Sequence, residues 1–218
     1  MLFGVENFDL VDWHEPASMS LRRDTEHTMV VDDAMYISPA HLMVIPKKSF
    51  IPTVAYLLND PEESLKLLDQ MYEDLKAVVR DQIYGNKDWM EFIYGKNYKD
   101  TFEADGKENA VEVFMQKVIM LGFNGFLPSQ FQLHLQAMFM PLTPQHHYLK
   151  FKHREHFHKD RWVSFQYIKQ ILEKLREPEK KAAFDTFMRT KAQFKVEPGK
   201  IDKNTELKDI VAFFKTEV

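Results

Sequence analysis

The chain of 218 residues is long enough for one well-cored domain with an appendage. Hydrophobic residues make up 44% and charged residues 28%, a composition that excludes a mostly disordered or collagen-like chain. A formal charge of −4 provides no global attraction to nucleic acid or anionic lipid. Because Cys is absent, disulfides, Cys-ligated zinc, iron–sulfur clusters and thiol nucleophiles are excluded.

The sequence contains no stretch that approaches the roughly 18 uncharged apolar residues of a membrane span. The N-terminal segment carries Glu6, Asp9 and Asp12 and lacks a basic start, so we expect neither a secretory signal nor a transit peptide. The prediction is a cytoplasmic protein without a membrane partner, with an organelle left open.

Two short apolar runs bounded by turn residues predict the first strands. They are TMVVDD, which begins at Thr28, and HLMVIP at 41–46. Residues 1–26 are polar, and we expect them to be irregular.

A helix that begins after Asp60 is the clearest predicted element. Asp60 suits the N-cap, Pro61 suits the first helical position, and Glu63 completes a capping box. Apolar residues then recur at helical spacing, and Gly85 ends the predicted helix.

Further along the chain, residues 89–96 and 111–125 are predicted as strands around a charged loop, although 111–117 also fits a helix. After Pro144 comes a segment rich in His and Lys, and helical patterns follow it at 162–176, 178–194 and 205–216. We divide the chain into an N-terminal extension (1–27), an α+β core (28–143) and a His-rich loop with a helical tail packed on the core (144–218).

The strand predicted at 131–140 carries the strongest chemical signal. Its alternation places Gln132, His134 and Gln136 on one face. Taken alone, such a pattern is more typical of an edge strand with a solvated polar face. Here, however, the strand follows an Asn-Gly turn and lies about 90 residues after the apolar run that ends in Pro-Lys.

The two blocks together resemble the histidine-triad superfamily of nucleotide hydrolases and transferases. Pro39-Ala40-His41, with the strand that ends in Pro46-Lys47, is similar to the first block, and Ser129-x-x-Gln132-x-His134-x-Gln136 is similar to the second. The resemblance spans residues 28–143 and implies an antiparallel sheet with a long helix that binds nucleotides. This chain adds a C-terminal helical extension. Because relatives are commonly dimeric, a homodimer is a further expectation.

Gln136 stands where many relatives carry His and resembles the transferase branch, which includes galactose-1-phosphate uridylyltransferase and the diadenosine tetraphosphate phosphorylases. The chain departs from the motif at Gln132, where the family has its first His. In the uridylyltransferases that position helps cysteines to hold a structural metal. This chain has no Cys, so we predict that such a metal site is absent. In other branches the first His orients the nucleophile through main-chain hydrogen bonds, which a Gln amide can imitate.

Through this resemblance, His134 is the nucleophile that forms a covalent nucleotidyl-histidine intermediate. Its usual pKa of about 6.5 leaves an imidazole neutral at pH 7, and a main-chain carbonyl is expected to hold its other nitrogen. Gln136 and Ser129 are predicted to donate hydrogen bonds to phosphate oxygens. The expected substrates are nucleoside polyphosphates, dinucleoside polyphosphates or nucleotide sugars. No cofactor is expected, apart from any Mg²⁺ that the nucleotide itself carries.

The resemblance also predicts residues that bind the rest of the nucleotide: Asp33, Val31, Ala34, Lys47 and Asn124. Asp33 lies eight residues before His41, where relatives place a ribose-binding carboxylate, and an ordinary turn Asp explains it equally well. Val31 and Ala34 would line the base pocket. Lys47 would attract the polyphosphate of the substrate toward the site, or it is an ordinary solvated residue at the end of a strand.

Five His residues lie between positions 146 and 158 among Lys and Arg side chains. Positive charge repels a metal cation and suits an anion, so we predict a basic loop that is solvated or faces polyphosphate. A metal site and a contact of 146–161 with RNA or protein are the weaker alternatives.

The sequence therefore predicts nucleotidyl transfer or hydrolysis through His134. The alternative is a histidine-triad-like protein without catalytic activity that binds a nucleotide or serves as an assembly subunit. Gln132 and the long tail favour that alternative.

Overall fold

The computed structural model describes residues 20–33, 37–104, 106–124, 132–142 and 162–193. In these residues six strands form one sheet in the order β1-β2-β3-β5-β4-β6, and every neighbouring pair is antiparallel. The strands are β1 Leu21–Asp24, β2 Thr28–Asp32, β3 His41–Pro46, β4 Ile119–Asn124, β5 Leu135–Phe139 and β6 Trp162–Ser164. The sheet confirms the predicted α+β fold.

The α-helices of the described residues are α1 Pro61–Val78, α2 Lys87–Tyr94, α3 Tyr98–Phe102, α4 Ala110–Val118, α5 Phe165–Leu175 and α6 Pro178–Gln193. A π-helical segment, Val79–Tyr84, continues α1, and 3₁₀ helices cover Val54–Leu58 and Lys107–Asn109. Among these helices, none is both long enough and apolar enough to cross a membrane.

Helix α1 begins where the sequence predicts, and with the π-helical segment that continues it the helical path ends at the predicted Gly85. The Asp60 carboxylate accepts a hydrogen bond from the Glu63 amide at 3.1 Å, and Pro61 occupies the first turn. The helical path continues through the π-helical segment to Gly85, where a Cβ would lie 2.9 Å from the Arg80 carbonyl oxygen. A side chain at that position would collide with the preceding turn.

The strand predicted at 89–96 is wrong, because most of these residues belong to helix α2. The Asn86 carboxamide accepts a hydrogen bond from the Trp89 amide at 3.1 Å and caps the helix. Aromatic residues favour strands because they pack on half-buried surfaces, and a helix can supply such a surface equally well. Here Tyr94 packs edge-on against Phe114 with ring centroids 5.4 Å apart.

The strand predicted at 111–125 is right in its second half. Helix α4 covers Ala110–Val118, so the helical alternative for 111–117 is confirmed, and β4 begins at Ile119. The helix buries Phe114 and Val118, which are four residues apart and share one face.

Strands β1 and β6 are short edge strands that the sequence analysis missed. β1 lies within the segment 1–26 that was predicted to be irregular, and β6 lies at the start of the helix predicted at 162–176. Strands of three or four residues are too short for periodicity to reveal. The helix predicted at 205–216 and the His-rich segment 145–161 lie outside the described residues.

Alternation gives the sheet two different faces. On the helix face, the main core contains Val30, Leu42, Val44, Phe123, Leu135 and Ala137. On the opposite face, Met29, Val31, Met43 and Ile45 form a separate buried cluster. We call this second face the site face, because its register places Met43 directly opposite Gln136.

The buried carboxylate of Asp74 connects α1 to the β1–β2 hairpin through hydrogen bonds. Its Oδ2 accepts hydrogen bonds from Thr28 (2.6 Å), Gln70 (2.9 Å) and Thr25 (3.2 Å), and its Oδ1 accepts one from Arg23 (2.9 Å). Burial acts to raise the pKa of Asp74, but these donors outweigh burial and lower the pKa overall. The folded protein therefore stabilises the ionised carboxylate.

We expect Asp74→Ala to lower the free energy of unfolding by about 2–3 kcal/mol, because it leaves a buried hydroxyl and a charged donor without their acceptor. Asp69→Ala on the same helix removes an exposed carboxylate that pairs with Lys169 at 2.7 Å, and should cost at most about 1 kcal/mol. Urea unfolding at pH 7 compares the two, and equal stability of both variants would contradict the assignment.

The contribution of Asp74 also has a defined pH dependence. Since its folded pKa lies below the unfolded value, the stabilisation is present above the ordinary pKa of 3.8 and is lost as pH falls through the folded pKa. The stability difference between wild type and Asp74→Ala should therefore shrink in acid.

Candidate active site around His134

The imidazole of His134 lies just before β5 on the site face and is almost completely buried. Its Nδ1 is 2.9 Å from the main-chain carbonyl oxygen of Gln132. A carbonyl oxygen can accept but not donate, so Nδ1 carries the proton and Nε2 presents its lone pair. The main-chain acceptor that the sequence analysis expects is therefore present.

Two carboxamides surround the Nε2 atom of His134. The side-chain nitrogen of Gln136 lies 3.3 Å from Nε2, and that of Asn124 lies 3.5 Å from it. The register brings Asn124 there, because Phe123 is opposite Leu135 and the next position of β4 reaches the level of His134. The structure thus brings together three residues that the sequence analysis proposed.

The surroundings of His134 lower its pKa below 6.5. Burial is the largest influence and disfavours the charged form, while the hydrogen bond to the Gln132 carbonyl acts in the opposite direction. Asp33 acts to raise the pKa and His41 acts to lower it, so both lie close enough to affect the imidazole. The net result is a neutral imidazole at pH 7.

The side chain of Gln132 connects the site to the segment that follows β3 through hydrogen bonds. Its carboxamide nitrogen donates to the carbonyl oxygens of Pro46 (3.0 Å) and Ser49 (3.1 Å), and its oxygen accepts from the Ile51 amide (3.2 Å). The Leu133 amide then donates to the Ile51 carbonyl at 2.6 Å. These hydrogen bonds fix the position of Gln132, whose main-chain carbonyl accepts the hydrogen bond from His134 Nδ1.

Asp33 and His41 lie side by side at the end of the β2–β3 pair. The distance from Asp33 Oδ2 to His41 Nε2 is 3.5 Å, and the Asp33 amide donates to the His41 carbonyl at 2.8 Å. His41 is buried, whereas the Asp33 carboxylate is partly exposed. A partly exposed carboxylate can still accept hydrogen bonds from a ligand.

One row of residues crosses all six strands on the site face. Leu21 is opposite Val31, Val31 opposite Met43, Met43 opposite Gln136, Gln136 opposite Gly122, and Gly122 opposite Ser164. Val31, predicted to line the base pocket, is therefore in the same row as Gln136. Sequence reasoning missed Met43 and Gly122, because their place depends on register rather than on a motif.

The structure places Lys47 at the β1–β2 turn rather than beside His134. Its ammonium donates to Asp24 Oδ1 at 2.5 Å and to the Thr25 carbonyl at 2.9 Å. The neighbouring Lys48 pairs with Glu26 at the same turn. These contacts favour the interpretation of Lys47 as a strand-end residue, and its binding of polyphosphate stays a prediction.

Two predicted site residues, Ser129 and Ala34, lie outside the described residues. Within the described part of the chain, no cluster of three His, Asp or Glu side chains could hold a metal ion.

Comparisons with known proteins extend this description. Residues 8–104 match the family model described as scavenger mRNA decapping enzyme C-term binding, which supports the resemblance to the histidine-triad superfamily. The match covers less than half of the chain and includes the first motif block but not the second. No curated protein matches the sequence.

The solved structures that are similar to this chain include two of Hnt3. One is the aprataxin ortholog Hnt3 from Schizosaccharomyces pombe, with a TM-score of 0.42, 16% identity, and coverage of 73% of this chain and 66% of that chain. The other, Hnt3 in complex with DNA and guanosine, has a TM-score of 0.44, 16% identity, and coverage of 77% and 75%. The chain spans just under two thirds of the first structure.

We expect nuclear magnetic resonance to find His134 as the Nδ1–H tautomer, with a titration midpoint below 6.5. As pH falls below the usual His pKa of about 6.5, this His takes up a proton in the unfolded chain while it stays neutral in the folded protein. The free energy of unfolding therefore falls. Long-range ¹H–¹⁵N spectra report tautomer and midpoint together, and His134→Asn assigns the signal. An Nε2–H tautomer, or a midpoint above 6.5, would overturn the geometry described above.

Proposed function

We propose that this protein binds a nucleoside polyphosphate or a related nucleotide at His134 and transfers or hydrolyses its nucleotidyl group. The observation that carries the proposal is the orientation of the imidazole. Its Nδ1 is held by the Gln132 carbonyl, so the Nε2 lone pair points toward the carboxamide donors of Gln136 and Asn124. A neutral nucleophile with fixed donors around it suits attack on phosphorus.

In the proposed first step, the Nε2 lone pair attacks the α-phosphorus. A nitrogen–phosphorus bond forms, the bond to the leaving-group oxygen breaks, and that oxygen departs with the bonding electrons. The Nδ1 proton stays in its hydrogen bond to the Gln132 carbonyl, which stabilises the positive charge of the imidazole. In the second step, water or an anionic acceptor attacks phosphorus and Nε2 regains its lone pair. A proton from attacking water passes to solvent.

The carboxamides of Gln136 and Asn124 would stabilise the transition state of both steps. Each has N–H donors close to Nε2, where the non-bridging phosphate oxygens would lie during attack. Donors placed in advance stabilise developing charge without reorganisation. Ser129 is proposed for the same role on the strength of the resemblance.

The nucleoside would lie toward β2 and β3. There Asp33 offers a partly exposed carboxylate that can accept hydrogen bonds from both ribose hydroxyls, and Val31 and Met43 supply apolar surface for the base. This arrangement supports the expected nucleotide substrates without distinguishing among the bases.

Transfer is favoured over hydrolysis by the chemistry of Gln136. An amide has no titrating proton, so it can neither protonate a poor leaving group nor help to deprotonate water. The covalent intermediate would therefore await a better nucleophile, such as phosphate, pyrophosphate or a sugar phosphate.

The alternative function is that of a nucleotide-binding protein or assembly subunit without turnover. The observation in its favour is that both Gln132 and Gln136 replace titrating His residues of the motif, so His134 would have to act without their protons. A homodimer, and contact with nucleic acid through 146–161, stay predictions.

We expect His134→Asn to abolish covalent labelling and turnover while leaving the melting temperature nearly unchanged. Asn keeps a polar side chain but lacks the nucleophilic nitrogen. The assay incubates the protein with α-³²P-labelled nucleotides and dinucleoside polyphosphates and measures label retained after denaturation. His27→Asn, the same change at an exposed His of the β1–β2 turn, is the matched control and should label like wild type. Label retained by His134→Asn would refute the nucleophile assignment. Absence of label in the wild type would favour the non-catalytic alternative.

We expect added phosphate, pyrophosphate or sugar phosphate to accelerate release of the label, with ping-pong kinetics. Gln136→His should raise release into water relative to transfer, because an imidazole can assist a water molecule. Gln116→His, at an exposed position of α4, controls for an added His elsewhere. Fast release into water that no acceptor improves would contradict the transferase proposal.

A further inference from the structure

The segment that follows β3 exposes a serine directly after two lysines. Lys47, Lys48, Ser49 and Phe50 are all exposed, in a stretch of chain that is neither helix nor strand. The Ser49 hydroxyl makes no hydrogen bond to any residue that the structure describes. It is therefore accessible to an enzyme that would modify it.

Ser49 borders a pocket of about 390 Å³ between α1 and the β1–β2 turn. The pocket is also lined by His27 from the turn and by Lys66 and Gln70 from α1, whose N–H groups can donate to a phosphate group. Glu63 lines the pocket as well and opposes an anion there, but it pairs with Lys66 at 2.7 Å. An ammonium has three N–H groups, so Lys66 can keep this partner while it binds a phosphate oxygen.

Lys47 and Lys48 supply further positive charge. Each pairs with a carboxylate of the β1–β2 turn, Lys47 with Asp24 and Lys48 with Glu26. A phosphate group on Ser49 would carry nearly two negative charges and would compete strongly for these cations. Protein kinases also select their substrates by charge pattern, and positive charge directly before an exposed serine suits a basophilic kinase.

Ser49 is directly connected to the candidate active site. Its main-chain carbonyl accepts a hydrogen bond from the Gln132 carboxamide at 3.1 Å. Gln132 precedes His134 by two residues, which span at most about 7 Å. At low ionic strength the Debye length is about 30 Å, so a charge on the Ser49 side chain would act on an anion bound at His134.

We infer that Ser49 is phosphorylated by a basophilic serine kinase, and that the phosphate, held by the surrounding basic side chains, opposes binding of an anionic substrate at His134. The Ser49 oxygen attacks the γ-phosphorus of ATP, and an oxygen–phosphorus bond forms. The bond to the β-phosphate oxygen breaks, ADP leaves with the bonding electrons, and the hydroxyl proton passes to a base of the kinase. The effect on substrate rests on the proposed function, whereas the modification itself does not.

The first test incubates the folded full chain with ATP and the catalytic subunit of a basophilic serine kinase, and mass spectrometry locates the phosphate. We expect phosphate at Ser49, its loss in Ser49→Ala, and loss of most of it in the double variant Lys47→Gln, Lys48→Gln. Thr101→Ala, at an exposed hydroxyl of α3, is the matched control and should be phosphorylated at Ser49 like wild type. Absence of phosphate at Ser49 of the folded chain, or equal modification without the two lysines, would overturn the inference.

Phosphorus NMR tests whether the basic side chains hold the phosphate. Cations favour the dianion, so the second pKa of the phosphate should lie below its usual value of about 6, and Lys66→Gln should raise it. Lys99→Gln, at an exposed lysine of α3, should leave it unchanged. A pKa of about 6 or higher in the wild type, or no response to Lys66→Gln, would contradict this part of the inference.

The last test measures binding of ATP and GTP by calorimetry, with and without the phosphate on Ser49. At about 10 mM salt we expect phosphorylation to weaken binding at least about twofold, and at about 500 mM salt we expect no difference, because salt screens the repulsion. Equal binding of both forms at low salt would overturn the effect on substrate. If neither form binds a nucleotide, the proposed function fails, while mass spectrometry and phosphorus NMR still decide whether Ser49 is the modified site.

Discussion

In this sheet β3 pairs with β5 although about 90 residues separate them in the chain, and the candidate site depends on that pairing. The register that sets Met43 opposite Gln136 joins the two motif blocks on one face. A shift of one residue would turn Gln136 toward the helices and bring Leu135 or Ala137 to the site. The buried apolar side chains on both faces of β3 therefore fix the geometry of the polar residues beside it.

Burying His134 and Gln136 carries an energetic cost that hydrogen bonds offset. The carboxamide of Gln132 hydrogen-bonds to three main-chain groups, and its carbonyl accepts a hydrogen bond from His134. These bonds hold His134 and the segment after β3 together. The Nε2 lone pair of His134 points away from that anchor. The Nδ1 side of the imidazole is thus held by a hydrogen bond to the main chain, and the Nε2 side faces the carboxamides of Gln136 and Asn124.

The elements that the sequence predicts correctly are those with strong local signals. Helix α1 has a cap, an N-terminal Pro and apolar residues at helical spacing, and β2 and β3 are apolar runs bounded by turns. Residues 89–96 were misassigned because aromatic residues suit any half-buried surface, and their real partners are distant in sequence. β1 and β6 form only through pairing with a neighbour, which short segments do not reveal on their own.

For the candidate site, the sequence by itself determined which polar side chains are available, an imidazole at His134 that alternates with two glutamines, because the order of residues along the chain is local. The approach of Asn124 to His134 and the turn contacts of Lys47 were decided by the tertiary structure. So was the approach of His27 and Lys66 to Ser49 around one pocket. The physical reason is that strand register and burial, which set distances and pKa values, arise from contacts between segments far apart in the chain.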